Sequence, residues 1–131
     1  MPVIKVLTKK YRPWSKQKQF HDSQARFRLC VAGIQTGKTI AGVNEAIKHM
    51  ARGPTTGMIV APTYPMLEQV TLPELLRWLP PKKVEGQVVW NYLKTEKRLD
   101  MANGSVCFFR HADDPDSLRG PHLDWFYGDE V

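Results

Sequence analysis

The 131-residue sequence contains little cysteine and no long apolar run. No hydrophobic stretch approaches the ~18 residues that a membrane-spanning helix requires, which excludes that class of protein. The two cysteines, Cys30 and Cys107, lie in separate apolar segments without CxxC or Cys/His ligand spacing. We therefore expect buried, reduced thiols rather than a disulfide scaffold or a zinc site. A guanine-recognition NKxD signature is also missing from the sequence, which disfavours a GTPase.

The net charge of +6 is concentrated near the N-terminus. Residues 1–28 contain eight Lys or Arg and a single acidic residue, whereas the remainder contains eleven Lys or Arg and twelve acidic residues. Such a segment favours a polyanionic partner through counterion release, although a solvated arm explains the charge equally well. We predict that residues 1–26 form a basic arm and a short helix, and that a separate domain begins at residue 27.

Apolar patterning predicts an α/β fold. The segment Phe27–Ala32 has the composition of a strand, and a helical apolar pattern begins at Lys38 and ends before Gly53-Pro54. Met58–Ala61 is a continuous apolar strand, which is typical of a parallel strand covered on both faces. The order strand, helix, strand is a βαβ unit, so we expect a mostly parallel sheet flanked by helices.

The sequence of the second half of the chain predicts shorter helices and strands. Tyr64–Leu79 is interpreted as two short helices and Val84–Trp90 as a short strand. Asn103-Gly104 separates two strand-forming runs, which predicts a β-hairpin near 97–109. Leu123–Tyr127 is a further apolar strand.

The segment that joins the first strand to the first long helix has the features of a phosphate-binding loop. It departs from the strict GxxxxGK[ST] pattern in a single respect, because Ala32 occupies the first glycine position and Gly33 follows it. In such a loop, backbone N–H groups and the helix N-terminus face the phosphates, Lys38 reaches the β- and γ-phosphates, and Thr39 binds Mg²⁺. A glycine turn with a solvated lysine is the alternative. The residues predicted to bind the nucleotide in this loop are Gly33, Ile34, Gln35, Thr36, Gly37, Lys38 and Thr39.

Two adjacent carboxylates, Asp129 and Glu130, follow the last predicted strand. Ligands bind at the carboxyl ends of strands in open parallel sheets, so this position suits catalysis. Asp129 is predicted to hold Mg²⁺, and Glu130 to orient or deprotonate the attacking water. A DE pair after a strand is common, but its position downstream of a phosphate loop favours the functional interpretation over a structural one.

A third candidate is Gln17, in a predicted helix from Trp14 to Ser23. A glutamine amide can donate to and accept from the adenine edge at once, so its chemistry suits a base contact. The alternative is a polar residue on an exposed helix face.

From about Pro13 to Val131 the chain resembles the N-terminal ATPase region of the large terminase subunit of tailed bacteriophages. Four stretches carry the resemblance: the Gln17 block with the following SQARFRLCVAG, the GIQTGKT loop, the APTYP turn, and DSLRGPHLDWFYGDEV. The resemblance implies a phosphate-loop NTPase fold of the additional-strand, RecA/helicase-like class. It also implies adenine contact by Gln17, magnesium coordination by Thr39 and Asp129, and water activation by Glu130.

For the whole protein, the resemblance implies an ATP-driven motor that packages double-stranded DNA in the cytoplasm of the infected bacterial host. The implied cofactors are ATP and Mg²⁺, and the implied partners are DNA, a small terminase subunit, a portal protein and further copies in a ring. Ile34 and Gln35 replace the loop arginine that many terminases carry, and whether Arg119 or a neighbouring subunit supplies one stays open.

The resemblance also implies a further strand after the DE pair, and a nuclease domain beyond it. We therefore expect residues 27–131 to be the N-terminal part of a phosphate-loop ATPase domain that is truncated after its Walker B motif, Asp129-Glu130, and lacks the nuclease domain. Such a chain should be poorly stable and a weak ATPase alone, because in the family the missing strand lies between the phosphate-loop strand and the strand before Asp129. Two other interpretations remain: a helicase-like nucleic-acid translocase, and a non-catalytic remnant that does not bind ATP.

Overall fold

The computed structural model describes residues 15–22, 38–113 and 122–129. In chain order, the first elements are helix α1 (Ser15–Asp22), helix α2 (Lys38–Ala51), strand β1 (Thr56–Ala61) and helix α3 (Tyr64–Met66). A π-helical turn (Leu67–Thr71) leads into helix α4 (Leu72–Trp78). The later strands are β2 (Lys83–Val84), β3 (Gln87–Val88), β4 (Trp90–Leu93), β5 (Arg98–Met101), β6 (Val106–His111) and β7 (Trp125–Gly128).

Strand β1 lies inside a five-stranded sheet of order β4-β5-β6-β1-β7. It pairs in parallel with β6 on one side and with β7 on the other, whereas β4, β5 and β6 pair antiparallel. Residues 57–61 are all buried, as the continuous apolar run predicts for a strand covered on both faces. At the start of the strand, the Thr56 amide donates to the Asp124 carboxylate across 2.8 Å.

Helix α2 follows the predicted apolar pattern. Val43, Ala46, Ile47 and Met50 are buried, and they recur every three to four residues along one face. Lys48 and His49 lie in the last turn, where positive charge complements the helix dipole. The helix therefore covers one face of the sheet and presents its first turn at the carboxyl ends of the parallel strands.

The Asn103-Gly104 hairpin is confirmed, with β5 and β6 as its strands. Gly104 has a φ of 94°, and the Ser105 amide donates to the Asn103 side chain across 3.0 Å. Strand β6 also pairs with β1, so the hairpin is joined to the parallel part of the sheet.

The prediction of one short strand over Val84–Trp90 is wrong. The segment forms the two-residue antiparallel strands β2 and β3, joined by Glu85 and Gly86 with φ values of 51° and 80°. Two consecutive positive φ values are typical of a type I′ hairpin turn, and Gly86 satisfies that requirement without strain. The apolar residues around Glu85-Gly86 therefore divide between this small hairpin and β4, which begins at Trp90.

The hydrophobic core lies between α2, the π-helical turn, α4 and the sheet. Its largest fully buried side chains include Phe109, Met50, Ile59, Leu75 and Leu99. Within the described ranges, none of the helices has the length and apolar character needed to cross a membrane. The predicted strand at residues 27–32 lies outside the described residues, so its place in the sheet stays a prediction.

Candidate functional site

Asp129 lies directly after β7, at the edge of the sheet where the parallel strands end. Its backbone amide donates to the Val60 carbonyl oxygen across 2.7 Å, which extends the pairing of β7 with β1 by one residue. The residue is only 3% exposed. A buried carboxylate needs hydrogen-bond donors or a cation, and the surrounding side chains supply hydroxyl donors.

The first turn of α2 reaches this carboxylate. The Thr39 hydroxyl donates to Oδ1 of Asp129 across 3.3 Å, although the two residues are ninety positions apart in sequence. The N-terminus of a helix carries partial positive charge and unpaired N–H groups, which favour an anion nearby. The structure thus places together the two residues that the sequence predicts as magnesium ligands.

Two further hydroxyl groups donate to Asp129, and neither was found from the sequence. Oγ1 of Thr71 lies 2.7 Å from Oδ2, and the Tyr127 hydroxyl lies 3.0 Å from Oδ1. The Tyr127 contact had a sequence signal, because side chains two positions apart on a strand share one face. Thr71 had none beyond being a polar residue between Val70 and Leu72.

The Tyr127 ring packs closely against α2 at Gly42. A Cβ on Gly42 would lie 2.1 Å from Cζ and 2.4 Å from the hydroxyl oxygen of Tyr127, so glycine is what allows the approach. The aromatic ring consequently spans the gap between helix and strand, with its hydroxyl at Asp129.

The donor set at this edge suits a hard divalent cation. Thr39 and Asp129 offer a hydroxyl and a carboxylate oxygen that already lie in contact. Across residues 15–22, 38–113 and 122–129 no group of three or more His, Cys, Asp or Glu side chains could hold a metal. In nucleotide sites Mg²⁺ commonly has few protein ligands and keeps water and phosphate oxygens in its other coordination positions.

Several predicted site residues cannot be compared with the structure. The backbone of Lys38 begins α2, but its side chain is outside the described part of the chain. The loop residues Gly33, Ile34, Gln35, Thr36 and Gly37 and the predicted catalytic Glu130 also lie outside the described residues. Their roles stay predictions.

The backbone of Gln17 lies in α1, but its side chain is outside the described part of the structure, so its predicted adenine contact stays a prediction. Helix α1 is nonetheless fixed to α2 through Glu45, a carboxylate that is 8% exposed. His21 pairs with Glu45, and Lys48 donates to the His21 carbonyl oxygen across 3.3 Å. The predicted base-binding helix and the predicted phosphate-binding helix are therefore in direct contact.

A parallel strand that ends in a buried carboxylate, beside the first turn of a helix that covers the sheet, is the architecture of a phosphate-loop NTPase domain. The structure is similar to that of the large terminase ATPase domain of Thermus phage P74-26, with a TM-score of 0.74 and 28% sequence identity. The similarity covers 92% of this chain and 54% of that chain. The predicted fold class is confirmed.

The chain belongs to the family described as terminase large subunit, T4likevirus-type, N-terminal, which matches residues 29–131. The large terminase subunits of Thermus virus P23-45 and Thermus phage G20c are each 31% identical to the chain over 136 residues. Each match covers 92% of the chain and 28% of the relative, so the chain spans just over a quarter of the length of these curated relatives. The predicted resemblance is confirmed.

Proposed function

We propose that this chain is the ATP-binding and hydrolysing part of a terminase large subunit that powers the packaging of double-stranded DNA into a phage capsid. The contact between Thr39 and Asp129 carries the proposal, since a hydrogen bond of 3.3 Å joins the first turn of α2, which follows the predicted phosphate loop, to the carboxylate directly after β7. Family membership supports packaging over the helicase-like alternative.

The residues present fit a magnesium ion. Thr39 and Asp129 would hold it, with the remaining positions filled by water and phosphate oxygens. When bound, the ion neutralises charge on the transferred phosphoryl group. The burial of Asp129 supports this assignment, because a cation offsets the cost of keeping a carboxylate away from water.

The remaining residues act on the phosphates, the base and water. Lys38 binds the β- and γ-phosphates beside the backbone N–H groups of residues 33–37. Glu130 follows Asp129 directly and activates the attacking water. Gln17 forms hydrogen bonds with the edge of the adenine base. The arrangement supports one centre in which phosphate binding, metal binding and water activation lie at the same sheet edge.

The proposal extends to the partners of the whole protein. A packaging motor of this family acts on double-stranded DNA in the infected host's cytoplasm, together with a small subunit, a portal protein and further copies in a ring. The basic N-terminal segment, with eight Lys or Arg among residues 1–28, offers a surface for the DNA phosphates.

The decisive experiment is titration of the purified chain with ATP, in magnesium and in EDTA. We expect binding that strengthens with magnesium, loss of that strengthening in Asp129→Asn, and loss of binding in Lys38→Ala. Asp124→Asn is the matched control, because Asp124 lies at the opposite end of β7, where an asparagine oxygen can still accept from the Thr56 amide. Equal affinities for ATP in the parent chain and Lys38→Ala would favour the non-catalytic remnant.

A further inference from the structure

Asp129 accepts its shortest side-chain hydrogen bond in the described structure from Thr71, at 2.7 Å. Thr71 is fully buried, so water does not compete for its hydroxyl group. Hydrogen bonds from a hydroxyl to a carboxylate are charge-assisted and shorter than neutral ones. The Thr71 contact therefore restrains the carboxylate more strongly than the longer contact from Thr39 does.

The π-helical turn explains why Thr71 occupies this position. The Leu72 amide donates to the Leu67 carbonyl, a spacing of five residues instead of the four of an α-helix. Pro73 follows at once, and a proline inside a helix clashes with the carbonyl four residues earlier and donates no hydrogen bond. The wider turn leaves room for Pro73, which lies in the first turn of α4. The hydroxyl of Thr71, the last residue of the π-helical turn, reaches Asp129 at the end of β7.

The two carboxylate oxygens of Asp129 consequently have different surroundings. Oδ2 accepts from Thr71, and Oδ1 lies within hydrogen-bond distance of Thr39 and Tyr127. Because Thr71 and Oδ2 lie on the buried side, the rotation of the carboxylate is restricted and Oδ1 faces the first turn of α2.

We propose that Thr71 is a positioning residue that orients Asp129 for magnesium, and so sets how strongly magnesium increases the affinity for ATP. This inference rests on the proposed function. It assigns a role to the turn that follows the APTYP segment, which contacts Oδ2 of Asp129 while Thr39 contacts Oδ1. Partners that orient a metal ligand from behind commonly change metal affinity without touching the metal.

The test compares the full chain with Thr71→Ser, which keeps the hydroxyl, and with Thr71→Val, which replaces the hydroxyl by a methyl group of similar size. ATP affinity is measured in EDTA and across a magnesium titration. We expect Thr71→Val to need about tenfold more magnesium for half of the effect, with unchanged affinity in EDTA, and Thr71→Ser to behave as the parent. Thr55→Val is the control, since Thr55 lies at the other end of β1, where its hydroxyl donates to the His49 carbonyl.

Thermal unfolding of each variant separates folding from positioning. If Thr71→Val does not unfold cooperatively, Thr71→Ala and Thr71→Ser are compared instead, because these two differ only by the hydroxyl group. A magnesium requirement equal to the parent's in the folded variant lacking the hydroxyl overturns the role of Thr71 and leaves the proposed function intact. A parent chain that binds ATP equally well with and without magnesium overturns the metal site itself.

Discussion

The Tyr127 ring lies where a side chain at Gly42 would be: the nearest ring atom is 2.1 Å from the position of a Cβ. The close approach brings the Tyr127 hydroxyl to Asp129. Trp125 packs on Gly57 in the same way, at 1.8 Å from the corresponding Cβ position. Two aromatic residues of β7 are thus accommodated by two glycines. Gly42 lies beside the site, whereas Gly57 lies near the start of β1, at the opposite end of the parallel strands.

This pairing predicts different results for two alanine substitutions. Gly42→Ala and Gly57→Ala should each lower the free energy of unfolding by about 1–3 kcal/mol, because each added methyl group forces an aromatic ring to move. Only Gly42→Ala should also weaken the magnesium-dependent binding of ATP, since it displaces the hydroxyl from Asp129. Denaturant unfolding and ATP titration measure the two effects. Equal loss of ATP binding in both variants would argue against a specific role for Tyr127.

Ser105 is a second buried polar residue with a concentrated set of contacts. Its hydroxyl oxygen accepts from the Thr55 amide at 3.1 Å and lies 2.8 Å and 2.7 Å from the carbonyl oxygens of Met50 and Gly53. Ser105→Ala should lower the free energy of unfolding by about 1–3 kcal/mol, because the Thr55 amide and the Gly53 carbonyl both lose this partner, whereas the Met50 carbonyl keeps the Asn103 side chain as a donor. Denaturant unfolding checks this, and ATP affinity should stay unchanged because the contacts lie away from Asp129.

Glu45 should control how firmly α1 is held against α2. His21 pairs with its carboxylate, and Nε2 of His49 lies 3.5 Å from Oε1. Glu45→Gln removes the charge from a poorly exposed group whose neighbours are basic, so amides of residues 15–22 should exchange hydrogen for deuterium about tenfold faster. Mass spectrometry of that segment gives the measurement. Glu68→Gln is the control, because a glutamine there can still accept from the Tyr64 hydroxyl; equal exchange in the two variants contradicts the prediction.

The thiol of Cys107 should be inert in the folded chain. Burial raises the pKa of Cys107 well above its ordinary range, and the thiolate is the reactive form. In a Cys30→Ser variant, a disulfide reagent such as DTNB should react with Cys107 only after denaturation, even at about pH 9. Unfolding releases a thiol that ionises near pH ~8.5, so this group makes stability fall as the pH rises above that value. Rapid reaction in the absence of denaturant would contradict the buried position.

Most of the fold was predicted from the regular spacing of apolar residues and from one turn motif. The helical spacing from Lys38, the apolar run at Met58–Ala61 and the Asn103-Gly104 turn all correspond to observed elements. The Val84–Trp90 prediction failed because Glu85 adopts a positive φ, a local conformation that a composition-based reading of a strand does not anticipate. In such a segment, one or two residues with a positive φ determine whether the chain continues as a strand or turns into a hairpin.

The candidate site was predictable where a known motif marks it and not elsewhere. Thr39 and Asp129 stand in motifs whose chemistry dictates the residue types, and the structure brings them together. Thr71 reaches the site only through a five-residue hydrogen-bond spacing, which depends on how the chain relaxes around Pro73. Periodicity analysis assumes 3.6 residues per turn and therefore misassigns the face on which such a residue lies.

The length of the segment between Pro65 and Pro73 is consequently under a strict geometric constraint. Deletion of one residue there would let the π-helical turn close into ordinary helix, so the residues within the turn, Thr71 among them, would change their direction relative to the sheet. The threonine hydroxyl would then face the wrong direction while hydrophobicity and composition remained almost the same. Sequence variation in this segment should accordingly consist of substitutions, with insertions and deletions confined to the loops on either side.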